Sequence, residues 1–123
     1  MIKLVNIIQE IDSNKKYYIE LIPVEDLKKY QQVEKTINKL KDLEVNINDI
    51  NVDKIYGDKV RRYFIGTYKD GSSIPAQYKT KNDLFNHPMG DIKVTLFTKE
   101  EAEKQKNKID NYVKEFVANI KMI

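Results

Sequence analysis

The alternation of apolar and polar positions changes period several times along the chain, and each change marks an element. Residues 2–22 hold two apolar stretches separated by Asp12-Ser13-Asn14-Lys15, a turn-forming cluster. Val5, Ile7, Ile8 and Ile11 are β-branched, and "KKYYIELI" is rich in strand formers, which favours a β-hairpin. Leu4, Ile7, Ile8 and Ile11 also fit one face of a short helix.

From Pro23 the period lengthens. Val24, Leu27, Tyr30, Val33, Ile37 and Leu40 recur at three- and four-residue spacing, which predicts an amphipathic helix of about four to five turns. Pro23 suits the start of a helix, where its missing N–H costs nothing. Glu25 and Asp26 suit the positive end of the helix dipole, and Lys39 and Lys41 fall near the opposite end.

Leu43, Val45 and Ile47 then alternate with Glu44, Asn46 and Asn48, the period of a strand. Ile50, Val52 and Ile55 suggest a second extended piece after a turn near Asn48–Asp49. A strand over 59–69 and a partner over 72–79 follow. Residues 80–90 read as one short helical turn, capped by Thr80 with Asp83 and closed by Pro88 and Gly90. Ile92, Val94 and Leu96 alternate with Lys93, Thr95 and Phe97 in a last strand. Thr98 and Glu101 form a capping box for a final helix, whose apolar stripe reads Ala102, Ile109, Tyr112, Val113, Phe116 and Ile120. The order predicts an α+β fold: a mainly antiparallel sheet with two long helices packed on one face, in two layers.

The 123 residues predict a single domain, 1–123. The chain has no cysteine, which excludes disulfides, thiolate metal sites and cysteine nucleophiles. The opening "MIKLVNIIQE" is too short and too broken for a signal peptide or a membrane span, so a cytoplasmic protein without membrane contact is expected. A net charge of +3 does not by itself imply nucleic acid. Lysine, isoleucine and asparagine (20, 16 and 11 residues) dominate in the manner of AT-rich coding, which points toward a low-GC bacterium, its phages or other mobile elements.

Both arginines of the chain, Arg61 and Arg62, sit in "VRRYFIGTYKDGSS". Asp70-Gly71 predicts a two-residue hairpin turn with Lys69 opposite Ser72. Tyr63 then faces Tyr78, Ile65 faces Ala76 and Thr67 faces Ile74 on one side of the sheet. The other side pairs Arg62 with Lys79, Phe64 with Gln77 and Tyr68 with Ser73. Pro75 falls at a non-hydrogen-bonded position, which makes 72–79 an edge strand. The first side reads as core, with Arg61 at its outer end. The second mixes cations with planar rings. Residues 59–81 carry six basic side chains and one acidic, a local +5.

Arg61, Arg62, Phe64, Tyr68 and Lys79 are therefore the candidate binding residues. Lys59, Lys69 and Lys81 join Lys79 as phosphate-neutralising groups if the ligand is nucleic acid. The same composition also serves a plain exposed strand, where long side chains cover the sheet and keep their charge in water, and the aromatic side can equally pack under the last helix.

Other chemistry is sparse. Asp49, Asn51 and Asp53 match ligand positions one, three and five of a calcium loop, but Lys54 stands where glycine is required and Val60 where glutamate is required. His87, the only histidine, has no nucleophile, carboxylate or further ligand beside it and reads as a loop cap. The four glycines are scattered and form no phosphate cradle. No catalytic residue, metal or cofactor is expected. The leading expectation is a small non-enzymatic protein that docks onto a protein partner as an inhibitor or regulator. The alternatives are a nucleic-acid-binding module using hairpin 59–81, and a binder of a small anionic, nucleotide-like ligand at a subunit interface. The polar start and apolar end of the last helix also allow a homodimer.

Overall fold

A computed structural model of the chain describes residues 14–44 and 52–123. Strand β1 (Tyr17–Pro23) is buried from Tyr18 onward on both of its faces, and the rest of the fold is arranged around it. A strand buried on both sides reads as a continuous apolar run, and "YYIELIP" is one, interrupted only by Glu20. After a 3₁₀ turn at Val24–Asp26 come α1 (Leu27–Asp42) and α2 (Val52–Lys59), then β2 (Tyr63–Thr67) and β3 (Ser73–Gln77). A second 3₁₀ turn (Lys81–Leu84) leads to β4 (Lys93–Val94), α3 (Lys99–Tyr112) and β5 (Phe116–Met122). The five described strands pair antiparallel in the order β3-β2-β1-β5, and β4 pairs with β2 beyond the point where β1 leaves it. Phe97 continues that segment to bridge Tyr17.

The α+β class, the antiparallel sheet and the two long helices are as the sequence predicts. The layering is richer than two layers with one covered face, because the long helices take opposite faces. On one face, Ile22 packs with Tyr30, Val33 and Ile37 of α1 and with Tyr56 and Val60 at α2. Further along that face, Tyr18, Phe64, Ala76 and Tyr78 pack with Leu84 and Ile92 of the connecting loops. On the other face, Ile19, Leu21 and Ala118 pack with Ala102 of α3 and with Phe97, while Ile109 and Phe116 add partly buried surface. Each fully buried side chain of this size contributes about 1.5–3 kcal/mol relative to exposure.

Three expected elements differ. The strand expected from Leu43 is not one at its start: Leu43 and Glu44 close α1, donating to the carbonyls of Lys39 and Lys41, with Glu44 in the left-handed conformation at φ 60°. Residues 45–51 lie outside the described residues, as do 2–13, on which the first strand of the expected N-terminal hairpin falls. Val52 and Ile55 belong to a helix rather than to an extended piece, because Tyr56 and Val60, four apart, deliver one helical stripe to the core.

The final helix ends at Tyr112 and does not reach Phe116 or Ile120. Tyr112, Phe116 and Ile120 recur every four residues, but Phe116, Ala118 and Ile120 also alternate by two. Extended, that segment pairs along the whole of β1, from Tyr17↔Met122 to Pro23↔Phe116, and the backbone partners of a central buried strand decide between the two periods. The capping boxes of Thr98 with Glu101 and Thr80 with Asp83 are present as expected. No described helix is long and apolar enough to cross a membrane.

Candidate binding surface

The hairpin register differs from the expected one by a single residue. Phe64 pairs with Ala76, Ile65 with Pro75 and Thr67 with Ser73. The turn holds three residues rather than two. The Tyr68 N–H donates to the Ser72 carbonyl, the Gly71 N–H donates to the Tyr68 carbonyl, and Gly71 sits at φ +88°. That is a type I turn followed by a left-handed bulge residue, a conformation glycine adopts without the penalty a Cβ would bring. Asp70 fixes it by accepting hydrogen bonds from the Ser72 N–H and hydroxyl at 2.9 and 2.6 Å, and these hold its carboxyl below the usual carboxylate range. Pro75 still occupies a non-hydrogen-bonded position, and β3 is an edge strand as expected.

A one-residue slip carries every β3 side chain to the opposite face. Ala76 and Tyr78 thus join Phe64 and Arg62 on the side covered by α1, α2 and the 81–92 loop. The expected outward cationic-aromatic face is instead interior. Phe64 is fully buried (0% exposed) and Arg62 is 6% exposed, so neither presents itself to a partner, and Tyr68 is half-buried. Gly66 marks the same crowding, since a Cβ there would lie 2.7 Å from Ile92 Cγ2 and 2.9 Å from Phe64 Cε2.

Arg62 is built into the core as a flat cation. Its guanidinium carbon lies 4.6 Å from the Tyr78 ring centroid and 4.7 Å from that of Tyr56, and Nη2 donates to the Lys79 carbonyl at 2.8 Å. Arg61 points elsewhere. Its Nε and backbone N–H donate to Asp26 at 3.0 and 3.2 Å, and Nη2 reaches Glu25 at 2.6 Å, so it ties the segment entering β2 to the 3₁₀ turn that precedes α1. The hydrogen bond from Arg61 holds the Asp26 carboxyl below the usual range.

The interior polar cluster beside Arg62 was not expected. Glu20, 2% exposed, accepts a short hydrogen bond from the Tyr78 hydroxyl and another from Tyr30 at 2.8 Å, with Asn119 Nδ2 at 3.5 Å and Lys121 Nζ at 3.9 Å. Burial first, then the negative charge of Glu20, pushes the phenols of Tyr30 and Tyr78 far above their ordinary value. Burial and Glu34 do the same to Tyr56. The only sequence signal for this cluster is a lone carboxylate inside a strand otherwise buried throughout. Sealed from solvent, it holds sheet and helix together rather than meeting a ligand.

His87 closes the cover of this face. The Met89 N–H donates to Nδ1 at 3.2 Å, which leaves the proton on Nε2, and Nε2 donates to the Gln77 carbonyl at 2.8 Å. Its ring meets Phe64 edge-on at 5.8 Å. This is a buried loop cap. Among the described residues no group of acidic, histidine or cysteine side chains could hold a metal ion.

Two surface features among the described residues bear on binding. Lys29, Lys59 and Lys79 line an open cleft of about 370 Å³ with Asp26, Arg61, Gln77 and Tyr78. Lys69 lies apart, 3.8 Å from Asp91, and Lys81 is exposed at the start of the second 3₁₀ turn. So the basic residues of 59–81 do not share one surface: Arg62 is interior, Lys69 and Lys81 lie elsewhere, and Lys59 and Lys79 meet at the cleft beside the ion-paired Arg61, joined there by Lys29.

The second feature lies on the opposite face of the sheet. Among the described elements, helix α3 packs mainly on β5 and β1, and the β2–β3 side of this face is only partly covered. There Leu21, Ile65, Ile74, Pro75, Ile109, Val113 and Phe116, with Ser73, line an apolar groove of about 340 Å³. Tyr112, 83% exposed, stands at the end of α3, next in sequence to Val113. Reading Ile65 and Phe116 as core was natural from the sequence. The groove exists because the last helix stops early, which no local pattern announces.

Comparison with known protein families, with curated proteins and with solved structures finds no match for this chain.

Proposed function

We propose that the protein is a small non-enzymatic binding module that docks onto a protein partner and acts by occupancy, as an inhibitor or regulator. The observation that carries this reading is the apolar groove between the β2–β3 hairpin and the end of α3. Its size is at the low end of ligand pockets, which run from about 300 Å³ upward, and such pockets orient small ligands with several placed polar groups. Among the described residues that line it, the only side-chain hydroxyl is that of Ser73. A lining of that kind suits one or two bulky apolar side chains of a partner, the anchor-in-pocket arrangement of interface hot spots.

Strand addition at β3 is disfavoured. Pro75 has no N–H to offer at the open edge, and the Gln77 carbonyl is already taken by His87. The partner therefore engages by side chains, with Ile65, Val113 and Phe116 as the contact residues.

The test is capture from native extract by the parent protein, by Val113→Asp and by a Lys59→Ala/Lys79→Ala variant, with folding checked by denaturant unfolding. The reading expects one protein to be retained by the parent and by the lysine variant, and lost with Val113→Asp. Capture undiminished by Val113→Asp would overturn it.

A second reading draws on the cleft of Lys29, Lys59 and Lys79, none of which has an ion-pair partner among the described residues. It would accept the phosphates of a nucleic acid or nucleotide. With Phe64 and Arg62 interior, this hairpin offers bases little to stack on, so such binding would be electrostatic, with a log–log salt slope of about −2 to −3 for three contacts. A titration with labelled oligonucleotide at low salt distinguishes the two readings.

A further inference from the structure

The two edges of the sheet are treated differently. The β3 edge carries the usual protections: a proline, and a carbonyl already engaged by the covering loop. The β5 edge has neither. It is seven residues long, "FVANIKM", with no proline or glycine and one charged side chain, Lys121. Lys121 lies 3.9 Å from both Glu20 and Glu34, on the face covered by α1.

The backbone bonds from Val24 to Glu115 and from Ile123 to Lys16 fix the ladder between β1 and β5. Odd-numbered residues of β5 bond to β1. Phe116, Ala118, Ile120 and Met122 therefore turn their N–H and C=O groups outward, and no described strand lies beyond them. Exposed apolar surface collects at the end of this strand, with Met122 59% and Ile123 39% exposed.

We propose that this edge pairs with the β5 edge of a second copy of the chain, antiparallel about a two-fold axis through Asn119, to form one continuous sheet across a homodimer. This register uses the whole strand. Ala118 pairs with the partner's Ile120, and Phe116 with the partner's Met122, so all four outward residues exchange backbone hydrogen bonds. It also sets the Met122 thioether beside an aromatic ring. On the opposite face Val117 meets the partner's Lys121, and Asn119 meets its own copy, so no like charges are opposed. An isologous contact of this kind is self-complementary and closes at two subunits. A shift by two residues in either direction leaves outward groups of the strand unpaired.

The absence of cysteine makes the test direct. Residues facing each other at a non-hydrogen-bonded antiparallel position are about 4.5 Å apart at Cα, within disulfide range. Under mild oxidation Asn119→Cys is expected to crosslink into a covalent dimer, and the parent is expected to sediment as a dimer. Met122→Pro removes an N–H that points away from β1, so it should leave the fold of the monomer intact by circular dichroism while weakening self-association by roughly tenfold or more. Ile120→Pro should weaken it further, and Met122→Pro remains informative if that variant does not fold. A parent that is monomeric at every concentration would overturn the proposal. So would a dimer that Asn119→Cys fails to crosslink, or one that persists unchanged in Met122→Pro.

Discussion

Arg62 lays its guanidinium over the ring of Tyr78, 4.6 Å from the centroid, while the hydroxyl of the same tyrosine donates to the buried carboxylate of Glu20. One side chain, next in sequence to the edge strand, thus joins a cation to an anion in the interior. Tyr56 covers the guanidinium from α2, and Tyr30 brings α1 to the same carboxylate. The two arginines and the buried rings of this hairpin serve cohesion, and the apolar groove lies on the other face.

The stacked arginine should be sensitive to shape as well as charge. Arg62→Ala loses two desolvated cation–π contacts and the hydrogen bond to the Lys79 carbonyl, and should reduce stability by about 2–3 kcal/mol in urea unfolding. Arg62→Lys should recover only a minor part, because an ammonium has no flat face to place between rings and is more strongly hydrated.

The Glu20 cluster predicts a non-additive double mutant. Glu20→Ala leaves the hydroxyls of Tyr30 and Tyr78 buried without their acceptor and should destabilise by about 3 kcal/mol. Adding Tyr78→Phe removes one orphaned hydroxyl, so the pair should cost measurably less than the sum of the single changes. Strict additivity would mean that the contact carries little coupling.

The buried phenols give an alkaline signature. A phenol whose value is raised on folding contributes stability that is complete below its unfolded value, about 10, and is lost as the pH climbs beyond it. Absorbance of tyrosinate near 295 nm should therefore show a cooperative step at high pH, in which Tyr30, Tyr56 and Tyr78 ionise together with loss of the fold. Tyr78→Phe should shrink the cooperative step.

The acid limb follows from Asp26, whose carboxyl is depressed by the hydrogen bonds and charge of Arg61. A depressed carboxylate contributes stability that is present above its unfolded value, about 4, and is lost as the pH falls through its lower folded value. Asp26→Asn should be less stable than the parent at pH 7, and the gap should narrow below about pH 4. A gap that stays constant to pH 2 would show that the ion pair is not the source.

Local signals carried much of the fold. Two capping boxes, an amphipathic helix and an alternating hairpin with a proline-marked edge were legible from neighbouring residues alone, although Pro23 ends β1 and the helix starts only at Leu27. What escaped depended on distant partners. The segment Phe116–Met122 satisfies either period until β1 claims it as a strand, and Tyr56 and Val60 form a helical stripe only against Ile22. In the candidate site, the decisive feature was turn length. Asp70-Gly71 suits a two-residue loop, but Asp70 accepting from Ser72 and Gly71 in the left-handed bulge make it three, and that one residue reverses which side of β3 faces the core. Phe64 and Arg62 carry the chemistry the sequence suggests, aromatic surface and a planar cation, but the partner of that chemistry is the protein itself.

The hairpin register is the point on which the buried cation, the Glu20 cluster and the exposed groove all depend, and it can be measured in the cysteine-free chain. Thr67 faces Ser73 at a non-hydrogen-bonded position, so Thr67→Cys/Ser73→Cys should close a disulfide under mild oxidation and raise stability, while Thr67→Cys/Ile74→Cys should close slowly and destabilise. The reverse outcome would place Tyr78 on the far side of the sheet from Glu20 and contradict the account.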